Sequence, residues 1–475
     1  MRFARCATFF VALATLLSVG CASQPPLTLR ADQATLDHVT LATTRPGFSG
    51  AGYATGFKNE IGEIVWTVPS ARGGVYDLAI RYHAPGKGKG YSLTVNDVGY
   101  DGFFHGVPDE SFAVHDAGKV ELAAGENVVR LGKGWAHYDI DSITLTPSKP
   151  LAKPKRVPDK LCHPAPSKKT RQLFTLLARR YGSGTFTGVI NSRDRDYVRD
   201  VAGVTPAIMG GDLIEYSPTR LQFGSNPRGE TERLIQARRD GHIVTLLWHW
   251  NAPRDLINES QHKLPDGRIV QADWWSGFYA RATTFDFAAA MADPTSVGYA
   301  AILRDIDAIA EQLKKLQAAR VPVLWRPLHE SDGEWFWWGT KGPDEFKKLW
   351  RLLFDRLTHH HKLDNLIWVY TWNDPAWYPG DDVVDMIGID SYPSHANDRQ
   401  IGIWQRALRE FDGRKMIALT EFGGVPDLPA MRRLGIHWSY FASWQGDNGP
   451  QKIAKPDLAR IYRSDAAINH PADAR

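Results

Sequence analysis

A chain of 475 residues is too long for one ordinary domain and suits two. Its 43% hydrophobic and 23% charged residues belong to a globular protein, and the net charge of +4 does not indicate nucleic acid. Seventeen Trp and sixteen Tyr are a heavy load of amphipathic rings, which stack on apolar sugar faces as readily as they fill cores.

Arg2 and Arg5 precede an apolar run at 9–19, too short to span a bilayer as a mature helix, so residues 1–21 read as a targeting segment. The run stops at Leu17-Ser-Val-Gly-Cys21, which resembles a bacterial lipoprotein signal with Cys21 as the lipidated first residue. Ser18 stands where that pattern has Leu, and ordinary cleavage after Ser23 competes. The implied destination is the outer membrane of a Gram-negative bacterium, reached through a lipid anchor. A periplasmic or secreted protein is the other outcome. Cys6 would leave with the signal and Cys21 would carry lipid, so Cys162 has no disulfide partner.

Residues 27–148 read as an all-β sandwich of jelly-roll type. Runs at 63–68, 75–82, 91–95, 126–131 and 141–145 alternate apolar with polar, and Gly, Pro or Asn clusters separate them. Arg30-Ala-Asp-Gln-Ala-Thr-Leu36, Gly47-Phe-Ser-Gly-Ala-Gly-Tyr53, the Gly73–Tyr82 run, Val95-Asn96 and Trp135-Ala-His-Tyr-Asp-Ile-Asp141 resemble a carbohydrate-binding module of family 35. That resemblance implies a structural calcium between an early acid and a late Asp, here Asp32 and Asp141. Two exposed turn acids are the alternative. Asn96 and Trp135 are the candidate sugar contacts of the module.

Residues 149–168 are rich in Pro and Lys, lack periodicity and carry much of the positive charge. They read as a semi-rigid linker that few contacts should cross. Beyond it, residues 169–469 alternate strand and helix signals. Strand-like runs fall at 184–190, 206–209, 242–248, 321–325, 366–370, 385–389, 416–419 and 437–441. Helical periodicity marks 302–313 and 346–354. Eight alternations in about 300 residues make a (β/α)8 TIM barrel within the α/β class. An open doubly wound sheet would need Gly-rich phosphate loops after its early strands, and the sequence has none.

In such a barrel chemistry sits where the strands end. The ends read Gly210-Gly-Asp212, Trp248-His-Trp-Asn251, His329-Glu330, Thr371-Trp-Asn373, Asp390-Ser-Tyr392, Thr420-Glu-Phe-Gly423 and Ser443-Trp444. The set is acidic and aromatic, with no nucleophile elbow and no zinc-ligand spacing. Glu330 and Glu421, from strands four and seven, can face each other across the mouth. A glycosidic bond needs one carboxylic acid to protonate the leaving oxygen and one carboxylate to attack the anomeric carbon. Glu330, between His329 and the aromatic run at 335–338, is the acid/base, its pKa raised by partial desolvation. Glu421 is the nucleophile, Tyr392 its hydrogen-bond donor, and Trp444 the floor under the reacting sugar. The aromatic run itself is expected to roof the site, since four such rings in a row are hard to bury in one core.

The motifs Thr205-Pro-Ala-Ile-Met-Gly-Gly-Asp212, Leu246-Leu-Trp-His-Trp-Asn251, Trp274-Trp-Ser-Gly-Phe-Tyr279, Trp325-Arg-Pro-Leu-His-Glu330, Trp335-Phe-Trp-Trp-Gly339, Gly388-Ile-Asp-Ser-Tyr392 and Thr420-Glu-Phe-Gly423 resemble glycoside hydrolase family 26, a retaining family dominated by β-mannanases. The resemblance implies Glu330 as acid/base and Glu421 as nucleophile. It places His249, Trp275, His329, Trp335, Asp390 and Tyr392 around the reacting sugar. One departure is Ser331-Asp-Gly333, where the family has Met-Asn-Gly; the added carboxylate of Asp332 bears on pH dependence and fine specificity. The expected activity is retaining cleavage of β-1,4-mannosidic bonds by a monomer without a catalytic cofactor. A mixed-linkage β-glucanase, a β-1,3-xylanase, an exo-acting mannobiohydrolase and a non-catalytic sugar-binding lipoprotein stay open as alternatives.

Overall fold

The computed structural model describes residues 25–470 apart from 59–60, 71, 87, 133, 135–136 and 265. Residues 27–148 form two facing antiparallel sheets. One runs in the order Ala113–Leu122, Gly74–His83, Asp139–Ser148, Tyr53–Thr55, Thr40–Ala42, with Leu27–Arg30 added to Asp139–Ser148. The other runs Thr35–Asp37, Glu63–Ser70, Gly125–Gly132, Lys89–Val95, Val98–Gly99, with Gly102–Phe104 added to Lys89–Val95. Alternation puts Ile64, Trp66 and Val68 of one sheet and Leu78, Ile80 and Tyr82 of the other in the core between them.

The second domain is a closed parallel barrel of eight strands. They are β1 (Gly188–Val189), β2 (Ile208–Asp212), β3 (Ile243–Trp248), β4 (Val323–Pro327), β5 (Leu366–Thr371), β6 (Met386–Ser391), β7 (Met416–Phe422) and β8 (Phe441–Ser443). Every residue of β3, β4, β5 and β7 is buried, as expected for strands covered on both faces. β8 begins where the expected run 437–441 ends. The chain before it already lies beside β7, through Ser439 N–H to Ile417 O at 2.8 Å and Leu419 N–H to Tyr440 O at 2.9 Å.

The connecting segment is seated more firmly than a linker that few contacts cross. Residues 149–167 form no helix or strand, yet they are fastened to the barrel. Leu151 N–H donates to Leu434 O at 2.9 Å, Lys155 N–H to Asp412 Oδ1 at 2.7 Å and Cys162 N–H to Asp385 Oδ1 at 2.6 Å. Val157 and Leu161 are buried. Its Pro and Lys content gives an extended chain with charges turned outward, and its few apolar residues seat it.

The sandwich also docks directly on the barrel. Asp101 N–H donates to Asp398 Oδ2 at 2.9 Å, Arg399 N–H to Gly99 O at 3.0 Å, and Arg433 to both oxygens of Glu121 at 2.8 and 3.1 Å. Gly118 has a left-handed φ of 90°, and a Cβ there would lie 2.5 Å from Gln405 Oε1 on the helix Ile401–Phe411. Glycine therefore permits both the kink and the close approach of that helix.

Candidate active site

After β4 the backbone turns sharply. Leu328 and Glu330, on either side of His329, both take left-handed φ, 50° and 51°. Residues other than Gly, Asn or Asp seldom adopt it, at a cost on the order of 1–3 kcal/mol each. That strain sits on the segment delivering His329 and Glu330 to the mouth. At β7 a register shift lets Thr420 bulge out, so Asp390 of β6 pairs with Glu421. The Thr420 hydroxyl then donates to Asp390 Oδ1 at 2.7 Å. A bulge of this kind re-aims the side chain beyond it.

Glu330, Asp390 and Glu421 thus carry oxygens within 4.8 Å of one another. Arg326, buried in β4, joins them. Its Nη2 donates to Glu421 Oε2 at 2.6 Å, and its Nη1 donates to Asp390. The Tyr392 hydroxyl donates to Glu421 Oε1. Both oxygens of Glu421 are therefore held. Burial alone would lower the Arg326 pKa, but Asp390 and Glu421 push it up, so the guanidinium stays charged. Burial and the charge of Glu421 push the Tyr392 phenol up, keeping its proton for donation. Such a buried ion cluster is weak as a source of stability because desolvation opposes it. Its value here is placement.

Glu330 differs in surroundings. One oxygen accepts from Trp335 Nε1 at 3.0 Å. Burial, then the negative charge of Glu421, push its carboxyl up to about 7. Burial pushes Asp390 up as well, helped by both glutamates and opposed by Arg326. His329 is pushed well down by burial and then by Arg326, so it is neutral. His249 is oriented by Asp212, whose Oδ2 lies 2.6 Å from its Nδ1 and whose Oδ1 accepts its backbone N–H at 3.1 Å. The two imidazoles meet edge-on at 4.6 Å.

Space opens on two sides of the carboxylates. A cavity of about 990 Å³ is lined by His249, Trp274, Phe278, Tyr279 and Trp444. Another, of about 310 Å³, is lined by Glu330, Asp332, Trp335, Trp372, Asn373 and Asp390. Burial pushes Asp332 up, in the wall beside Glu330.

The structure brings Glu330, Glu421, His249, His329, Trp335, Asp390, Tyr392 and Trp444 to one mouth and modifies three expectations. The aromatic run does not roof the site as a unit. Phe336, Trp337 and Trp338 are buried, with Trp337 Nε1 donating to Trp250 O at 2.6 Å and Trp338 Nε1 to His329 O at 2.9 Å. Backbone carbonyls meet these indoles' polar needs, which lets the core hold them, and Trp335 alone reaches the glutamate. Trp274, stacked on Phe223 at 5.6 Å, lines the larger cavity, whereas Trp275 is 45% exposed beside it. Arg326 and Asp212 stood in the motifs, Asp212 at a strand end, but neither had an assigned role in the site. The signal for Arg326 was present: a charge inside an otherwise apolar buried strand must have partners.

In the module, Asn96 is used by the fold. It sits at φ 50° in a turn with Asp97 at φ 63°, donates to Asn127 Oδ1 at 2.8 Å and accepts from Val128 N–H at 2.9 Å. These bonds give Asn96 a role in the turn, and the residue stays exposed. Trp135 and Cys21 lie outside the described residues. Asp32 and Asp141 do converge, on the turn 49–51. Ala51 N–H donates to Asp32 at 2.7 Å and Ser49 N–H to Asp141 at 2.6 Å. Each is also matched by a guanidinium, Arg30 at 3.0 Å and Arg81 at 2.6 Å. Each carboxylate thus already has a cationic partner, which competes with a calcium ion for its oxygens. Asp307, His360 and His361 also cluster within 4.8 Å, but Arg356 holds both oxygens of Asp307 at 2.8 Å.

Residues 162–471 match the model of glycosyl hydrolase family 26, which covers more than half of the chain. The chain belongs to glycosyl hydrolase family 26. Residues 28–148 match the carbohydrate binding module of family 35. Among relatives, a mannan endo-1,4-beta-mannosidase of Thermothelomyces thermophilus is 39% identical over 93% of this chain and 89% of its own. Mannan endo-1,4-beta-mannosidase A of a Piromyces species is 31% identical over 88% of this chain and 67% of its own. Among solved structures, the GH26-CBM35 β-(1,4)-mannanase of Podospora anserina is 40% identical, covering 94% of this chain and 97% of that one, with a TM-score of 0.66.

Proposed function

We propose that this family 26 protein is an endo-acting β-1,4-mannanase that hydrolyses mannan chains with retention of configuration. The observation that carries the mechanism is the spacing of Glu330 and Glu421, whose oxygens approach within 4.8 Å. Retaining enzymes hold their carboxyls about 5–5.5 Å apart, and inverting ones need roughly 6.5–9.5 Å to seat a water. The names of the relatives support mannan as substrate, and open space on both sides of the carboxylates suits attack within a chain.

In the first step Glu421 attacks the anomeric carbon, and Glu330 gives its proton to the departing glycosidic oxygen. The result is a glycosyl ester on Glu421 and a free sugar end. Forming the ester removes the negative charge that helped raise Glu330. The Glu330 carboxyl then falls in pKa and takes a proton from the incoming water, which releases the sugar. Arg326 and Tyr392 aim Glu421 and stabilise it again when it leaves as a carboxylate. Neutral His329 and the Asp212-held His249 offer fixed polar edges to sugar hydroxyls, beside the Trp444 ring.

Export also belongs to this reading. The apolar run and Cys21 support a lipid-anchored protein, and Cys21→Ser should move it out of the membrane fraction. The direct test of substrate is a product profile on mannan, glucomannan, lichenan and β-1,3-xylan. Mixed manno-oligosaccharides from the first minutes support the proposal. Sole release of mannobiose, or faster hydrolysis of lichenan or xylan, contradicts it.

A further inference from the structure

Where sandwich and barrel meet, they enclose a third cavity of about 660 Å³. Its module wall includes Phe103, His105 and His115, and its barrel wall includes Tyr392, Gln405 and Arg406. The walls are fixed relative to each other by the Asp101–Asp398, Gly99–Arg399 and Glu121–Arg433 contacts.

This cavity adjoins the chemistry. Tyr392, one of its walls, is the residue whose hydroxyl holds Glu421. Ser391, Gln400 and Ile403 line both it and the 310 Å³ cavity beneath Glu330. Arg406 ties the two together: it lies over the Trp372 ring at 5.4 Å and donates to the Asn373 carbonyl. Glu330 faces the departing oxygen, so the space it lines lies on the leaving-group side of the bond being cut. The 990 Å³ cavity with Trp444 lies on the other side.

The surface suits an uncharged sugar. Phe103 is 39% and Tyr392 43% exposed, one ring from each domain. Exposed rings accept the C–H face of a hexose, and the Gln, Arg and His groups between them can meet its hydroxyls. We propose that the junction is a distal sugar subsite on the leaving-group side, built jointly by module and barrel, for hexosyl units of the chain being cleaved. It rests on the β-mannanase reading above. The module then acts on the same polysaccharide chain that the barrel cuts, in addition to any anchoring role.

The test uses the full chain. Rates on mannohexaose and mannotriose are compared for wild type, Phe103→Ala, His105→Ala and Phe103→Trp, with cleavage positions read in ¹⁸O-water. For Phe103→Ala the kcat/KM on mannohexaose should fall about tenfold, with mannotriose within twofold of wild type. His105→Ala should shift the same ratio less, and Phe103→Trp should restore it. Cleavage positions should move so that fewer units occupy the leaving-group side. An unchanged mannohexaose-to-mannotriose ratio in both alanine variants overturns the inference, and so does an equal loss on both substrates. Wild-type protein that cleaves neither mannan nor its oligosaccharides defeats the parent reading, and the inference with it. Wild-type hydrolysis with unaltered ratios defeats this inference alone.

Discussion

The ends of β4 and β7 present the same side chain, a glutamate, in opposite surroundings. Glu421 has both oxygens held, by a buried guanidinium and a phenol. Glu330 has one indole N–H, a partly desolvated position and a carboxylate neighbour that pushes its pKa up to about 7. On the proposed mechanism these surroundings divide the work: the firmly held group attacks, and the group that keeps a proton near neutral pH delivers it. One positive charge, Arg326, serves three carboxylates within 4.8 Å, so a proton resides on the cluster.

Four substitutions or measurements break this contrast, in falling order of effect. Glu421→Ala should lower kcat by more than about 10⁴-fold on every substrate, because it removes the group proposed to form the covalent bond. Steady-state rates on mannan and on an aryl mannoside check it. Glu330→Ala should cost about 10²–10⁴-fold on mannan and far less on an aryl mannoside with a good leaving group, which departs without a proton. Equal losses on both substrates would remove Glu330 from the acid role.

Arg326→Lys keeps the charge but loses the two-pronged contact with Asp390 and Glu421. The expected loss is about 10²-fold in kcat, with KM little changed. The smallest effect is on stability. The Glu330 pKa is raised on folding from an ordinary 4.5 to about 7. The folded state therefore binds the extra proton between those values, and stability falls as pH rises through them. Glu330→Gln removes that cost, so its advantage in Tm over wild type should be larger at pH 8 than at pH 4. Calorimetry at the two pH values measures the gap. An equal gap at both would mean that Glu330 is not raised.

Much of this was readable from the chain. Parallel strands covered on both faces are unbroken apolar runs, and 242–248 and 366–370 stand within a residue of β3 and β5. Two glutamates at strand ends that share one mouth follow from the architecture. The strand Ala113–Leu122 was not legible because a register shift between Asp116 and Gly118 breaks its alternation. The hairpin of Glu259–Lys263 and Ile269–Ala272 is mostly polar and exposed, so it carries no core signal. Local sequence does not encode partners far along the chain. Asp212 and His249 are 37 residues apart, and Arg326 and Glu421 are 95 apart. The junction between the domains was hidden for the same reason, since composition described its connecting segment and not the surface that receives it.

With Glu421 as nucleophile and Glu330 as acid, the anomer of the first product is fixed by the mechanism. Hydrolysis of a manno-oligosaccharide is followed by proton NMR from the first minutes, before mutarotation. In parallel, a 2-fluoro mannosyl probe is used to trap the covalent intermediate for peptide mapping. The β-anomer at the new reducing end and a label on Glu421 are the expected results. An initial α-anomer, or a label on Asp390 or any other residue, would contradict that mechanism.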